Sequence, residues 1–405
     1  PRMIIREPLV NATYYYLREA PGDSPANRQN RHEAFVADVH HTLHLLAGWL
    51  AISDPVLPVV PVWEADPPSD VQPLTAASQL RGRTNASAVV SAYALRNMLL
   101  LRVVVSRTGE HDQGVWSMLD EALGDAPTTP SWLHTVHYWC GVAPRPPEDL
   151  EQDRSLPVKT SFGVLCLGHA TAPHLLVYPD ARTEARADSF LRSLAMRLDW
   201  YPVQARRRLD EYIDRASGAA RNQQQALDQV TRMAHYWKVP DEQTHSRALV
   251  PFRAELDTLE STYADVLSDL STTQSAARDI QALMSEYRLT LMQSGLWDAA
   301  PTVWEAQVAD LAGMQAQIET DVHYVETTLR RMELLIRMLQ TRTAMLQSER
   351  ERLLIYVVAL IGLLILAVLV ADTSLTRVAI RLVALALAAG LLWGGWLVWL
   401  RRRIP

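Results

Sequence analysis

Cysteine is almost missing from this 405-residue chain, with Cys140 and Cys166 as its two occurrences. Two thiols supply no disulfide framework, so the fold has to be held by its apolar core. Lysine is as scarce, at Lys159 and Lys238, and the basic charge is otherwise arginine, which we read as compositional bias. No glycine-rich phosphate loop and no Walker pattern occurs, which removes the usual nucleotide-hydrolysis signatures. Clustered cations are lacking too. Of 39 bases and 45 acids, six and two fall in residues 351–405, leaving residues 1–350 with a net charge of −10. An acidic body argues against nucleic acid as a partner, because phosphate binding needs grouped cations. The opening stretch PRMIIREPLVNATYYYL contains Arg6 and Glu7 and no long apolar core, so no signal peptide is expected.

What the chain does have is a pair of uncharged apolar runs, Leu353–Ala371 and Leu382–Leu400, joined by the polar link Asp372–Arg381. Each run has the length a helix needs to cross a hydrocarbon core at ~1.5 Å per residue. The short link predicts a two-helix transmembrane hairpin over 353–400, with a lipid bilayer as its partner. Arginine flanks the outer ends of the runs (Arg350, Arg352, Arg401, Arg402, Arg403), which places both termini in the cytoplasm by the positive-inside rule. The sequons at Asn11 and Asn85 would then be idle. Trp393, Trp396 and Trp399, with Arg401, Arg402 and Arg403 of the basic tail 401–405, have the character of interfacial anchors. Ala386, Gly390 and Gly394 form a small-residue ladder suited to close helix packing. Neither run holds an ionisable residue, so any pore would be apolar, with Asp372, Thr373, Ser374 and Thr376 at its mouth.

Residues 1–200 read as a cytoplasmic α/β domain. Thr13–Leu17, Val56–Val62, Leu99–Val105, Phe162–Leu167 and Leu175–Tyr178 are strand-like runs, while His32–Leu50, Val115–Leu123 and Trp132–Trp139 read as helices. Pro21–Asn30, Ala65–Thr84 and Ala143–Leu156 read as loops. Residues 201–352 read as a helical stalk, with Pro202 as a helix-start residue. Two segments, 244–293 and 302–352, carry apolar residues at alternating steps of three and four. One seam runs Leu249, Phe252, Leu256, Leu259, Tyr263, Val266, Leu270, Thr273, Ala277, Ile280, Met284, Tyr287 and Leu291; the other runs Leu311, Gln315, Ile318, Val322, Val325, Leu329, Met332, Ile336, Leu339, Thr343, Leu346, Arg350 and Leu353. That 3.5-residue period predicts coiled-coil-like helices, folded antiparallel at Gln293–Pro301. The second seam runs without proline towards the membrane, predicting one helix from about Thr302 to Ala371.

The tempting motifs dissolve on inspection. His40 and His44 have metal-binding spacing, but the glutamate of an HExxH site is missing. His134, His137 and Cys140 would share a helical face, without a visible fourth zinc ligand. A Cys166–His169 dyad has nothing to supply an oxyanion hole. We therefore expect no catalytic residue, no metal ligand and no cofactor, and no enzymatic activity.

The order of parts, an α/β domain, long stalk helices and two C-terminal spans, resembles the CorA magnesium-transporter superfamily. The TYYYL start, the SFGVLCLG and HLLVYPD strands and the helical hairpin are similar to CorA-like membrane proteins of caspase/TPR-associated (CATRA) bacterial conflict systems. The CorA signature Gly-Met-Asn is replaced by Val370, Ala371, Asp372, Thr373 and Ser374, so no metal-selecting residue carries over. The resemblance implies a homo-oligomer, pentameric in CorA, in the bacterial inner (plasma) membrane. It implies an effector of bacterial immunity, silent until a caspase-like protease or TPR sensor acts on the cytoplasmic body, which then permeabilises the membrane. Arg31, Arg81, Arg83 and Arg154, in or beside the loops, are the candidate cleavage triggers. The rival readings are a divalent-cation channel without the usual filter and a membrane-anchored coiled-coil scaffold.

Overall fold

A computed structural model describes residues 4–20, 22–61, 68–82, 85–125, 127–146, 155–168, 172–236 and 249–370. The chain divides into two compact units, residues 1–220 with 269–324 and residues 221–268 with 325–405.

The first unit is built on a mixed sheet. Its strands are β1 (Ile5–Leu17), β2 (Gln72–Pro73), β3 (Ser78–Arg81), β4 (Ala86–Leu95), β5 (Met98–Arg107), β6 (Glu110–His111), β7 (Trp132–Val142), β8 (Val158–Thr160), β9 (Gly163–Cys166) and β10 (His174–Tyr178). The order is β2-β4-β5-β1-β7-β10-β9-β8, with β3 on β4 and β6 on β1. Every pairing is antiparallel except β7 with β10, which is parallel.

Strand alternation sorts the core into two layers. Leu99, Leu101, Val103 and Val105 of β5 face Phe35, Val39 and Leu43 of α1 (Pro25–Trp49) and Trp116 and Leu119 of α2 (Gly114–Glu121). Met98 and Leu100 face the opposite layer, made by α3 (Ala181–Arg192), α4 (Leu194–Tyr236), the end of α5 (Leu249–Gln293), α6 (Leu296–Ala299) and the start of α7 (Pro301–Val370). Arg102 shares that face. It is 2% exposed and donates to Asn11 Oδ1 at 2.6 Å and Asp188 Oδ1 at 2.9 Å, so its buried charge is paired.

Residues of both heptad seams are buried, whereas Leu353, the last of the second, is 64% exposed. In the first unit Ile280 of α5 meets Ile318 of α7, and the Tyr287 hydroxyl donates to Gln307 Oε1. In the second, Leu259 and Val266 of α5 and Val325, Met332 and Leu339 of α7 are buried, and Gln340 Nε2 donates to Glu260 Oε1 at 3.1 Å. Partner numbers on α7 rise as those on α5 fall, which is the antiparallel arrangement.

Several expectations need correcting. The C-terminal transmembrane hairpin is not shown, because among the described residues no helix is long and apolar enough to cross a membrane. Side chains of the first apolar run are described only as far as Leu363, roughly 16 Å of helix from Leu353 against a hydrocarbon core of about 30 Å. The second run, Leu382–Leu400, lies outside the described residues. Trp132–Trp139 is strand, not helix: its β-branched and aromatic residues pair along β1, and Tyr138 and Trp139 pair with β10 as well. The Val56–Val62 run forms no strand over residues 56–61, since Pro58 and Pro61 have no N–H for a ladder. Helix α1 begins at Pro25, inside the expected loop, capped by Ser24 Oγ, which accepts from Asn27 N. Pro202 stands inside α4 and does not start it; the break falls at Ser193.

Candidate functional site

The parallel pairing of β7 with β10 starts only at Tyr138, opposite His174. Residues 132–137 of β7 therefore have β1 on one side and no described strand on the other. A cavity of about 740 Å³ opens along this bare edge. Its lining includes Asp120 of α2, His134 and His137 of β7, His174 of β10, Asp199 and Arg206 of α4, and Leu311 and Met314 of α7. The volume falls in the range of small-molecule sites, which combine apolar walls with a few convergent polar groups.

Asp199 is the most perturbed acid there. Burial pushes its carboxyl up to about 8, opposed by the hydroxyl of Tyr138, 3.0 Å from each carboxylate oxygen. Gly168 N–H donates to His174 Nδ1 at 2.7 Å. In a neutral ring this leaves the proton on Nε2, which faces Asp199 Oδ1 at 4.0 Å. His137 Nδ1 pairs with Asp120 Oδ1 at 2.5 Å. Burial holds the His134 imidazole below its ordinary value, and the positive charge of Arg206 and His137 adds to the effect. Arg206 itself is exposed and has no hydrogen-bond or ion-pair partner among the described residues. The cavity can hold a small polar molecule, and His and Asp side chains could exchange protons with it. Among the described residues its lining contains no serine or cysteine.

The other sequence candidates disperse. His40 Nε2 lies 3.2 Å from Pro58 O, and His44 is exposed on α1. His134, His137 and Cys140 cannot share a helical face, because they lie on a strand whose side chains alternate. The Cys140 thiol is fully buried and pushed up by desolvation; Cys166 is also buried, and His169 lies outside the described residues. Among the described residues no group of three His, Cys, Asp or Glu is placed to hold a metal. Arg31 sits within α1, ion-paired to Asp23, and so is helical instead of looped, while Arg81 is exposed at the end of β3. Arg83, Arg154, Asp372, Thr373, Ser374, Thr376, Ala386, Gly390, Gly394, Trp393, Trp396, Trp399 and Arg401–Arg403 lie outside the described residues. Sequence reading missed Asp199, His174 and Arg206. The available signal was Asp199 itself, an acid inside the apolar start of α4 (LAMRLDWYPV).

No protein-family model, curated protein or solved structure matches this chain.

Proposed function

We propose that the chain is a non-enzymatic, membrane-acting effector. Its α/β body receives an activating signal, and the apolar end of α7 delivers the response to a lipid bilayer. The observation that carries this is the surface of α7 beyond the seam. Leu353, Leu354, Ile355, Tyr356, Val357, Val358, Leu360 and Leu363 are 49% to 70% exposed. At ~100° per residue they cover the whole circumference, and a helix that is apolar all round requires an apolar environment on every side. Flanking arginines and the conflict-system resemblance fit a bacterial inner membrane with the body in the cytoplasm, and permeabilisation as the output. Self-association has support as well: Leu334, Met338 and Met345 are large, apolar and exposed on α7.

The test uses the full chain and anionic phospholipid vesicles loaded with a self-quenching dye. Wild type should sediment with the vesicles, and a Val357→Arg/Leu360→Arg variant should stay in the supernatant. Dye release on proteolytic nicking of the bound chain is the expected output. Equal sedimentation of both proteins would remove the lipid reading.

A further inference from the structure

We infer that the cavity along the bare edge of β7 is a binding site for a small organic anion, a carboxylate or phosphate ester with an apolar or ring portion. The unpartnered Arg206 guanidinium and the His134 imidazole hold the charged group, and Leu311 and Met314 face the rest.

The lining separates its charges in a way that leaves one place for an anion. Asp120 already has a partner, His137 Nδ1, at 2.5 Å. Asp199 is enclosed by Tyr138 and His174 and, with burial favouring its protonated form, does not repel an anion at neutral pH. Arg206 and His134 remain, on α4 and β7, lining one cavity, with burial and the Arg206 charge both favouring the neutral imidazole of His134. One guanidinium charge with a neutral imidazole able to hydrogen-bond, beside an opening that accepts a drug-sized molecule, forms the polar half of an anion site. Asp310 is the remaining acid of the lining, exposed on α7.

The inference leans on the effector reading only in taking this ligand as the signal; binding is read without vesicles, so either can fail alone. Purified full chain in mild detergent is titrated with adenosine monophosphate and benzoate, each beside its uncharged counterpart, adenosine or benzamide. At least one anion should raise the melting temperature and give a saturable titration that its counterpart does not. Arg206→Ala should weaken that affinity by about tenfold or more, the size of one charge-assisted hydrogen bond, while Arg206→Lys retains part of it. Arg206 is exposed, so both variants should melt like wild type without ligand. No shift with either anion, an equal shift with the neutral counterpart, or an unchanged affinity in Arg206→Ala would overturn the assignment.

Discussion

The hydroxyl of Tyr138 stands 3.0 Å from both carboxylate oxygens of Asp199, with both residues buried and Asp199 at the cavity wall. Burial raises the Asp199 pKa from 3.8 to about 8, so between those values the folded state holds a proton that the unfolded state has released. Stability from this group must then fall as pH rises through the window, by at most ~1.4 kcal/mol per pH unit, and level off above it. His134, with a lowered value, acts the other way below about 6.5, where the unfolded imidazole takes up a proton that the folded one resists. Comparison with Asp199→Asn isolates the carboxyl. The wild-type unfolding free energy minus that of the variant should decline from about pH 4 to about pH 8; a flat difference would show that Asp199 is ordinary.

His174 owes its tautomer to one backbone amide. A Cβ added to Gly168 would overlap the carbonyl oxygen of Ala172, so Gly168→Ala must move the amide that donates to Nδ1. We expect a loss of ~1–3 kcal/mol in stability from the forced shift. Nitrogen-15 spectra of the imidazole should change from protonation at Nε2 to a mixture of tautomers. A stable variant with an unchanged ring spectrum would reject the role given to Gly168.

Trp304 locks the turn between α5 and α7. It is 1% exposed, and its Nε1 donates to Leu296 O at 2.8 Å. Trp304→Ala removes both the volume and the donor and should cost ~3–5 kcal/mol. Trp304→Phe keeps most of the volume but leaves the Leu296 carbonyl unpaired, at ~1–3 kcal/mol. Urea unfolding distinguishes the two; a Trp304→Phe variant as stable as wild type would mean that the hydrogen bond contributes nothing.

The readable parts of this fold were those with a local period. The α5 and α7 seams could be followed residue by residue, since a 3.5-residue repeat is a property of one segment, and Leu259, Ile280, Ile318 and Met332 are all buried as it requires. β5 and β10 were legible as short β-branched runs between turns. β7 was not: HTVHYWC reads equally as an amphipathic helix, and only the neighbours β1 and β10 decide it. β4 escaped because its ASAVVSAYAL is rich in small residues that become core through pairing with β5. The cavity was illegible for a related reason. His134, Asp199 and Arg206 are brought together by where β10 begins along β7, a register that no single segment encodes.

Self-association can be tested without disturbing the fold. On α7 the buried residues Val325, Leu329, Met332 and Leu339 lie on one side of the helix. At ~100° per residue, Leu334, Met338 and Met345 lie about half a turn away, on the opposite side. A helix with an apolar stripe on each side has one partner within the chain and surface for another outside it. Replacing all three by glutamine should change unfolding free energy by no more than ~0.5 kcal/mol per site, because none is buried. It should also convert the wild-type assembly to a smaller species by light scattering after size exclusion. An unchanged mass, or a wild type already monomeric at micromolar concentration, would remove the stripe as a subunit interface and return those three side chains to ordinary exposed surface.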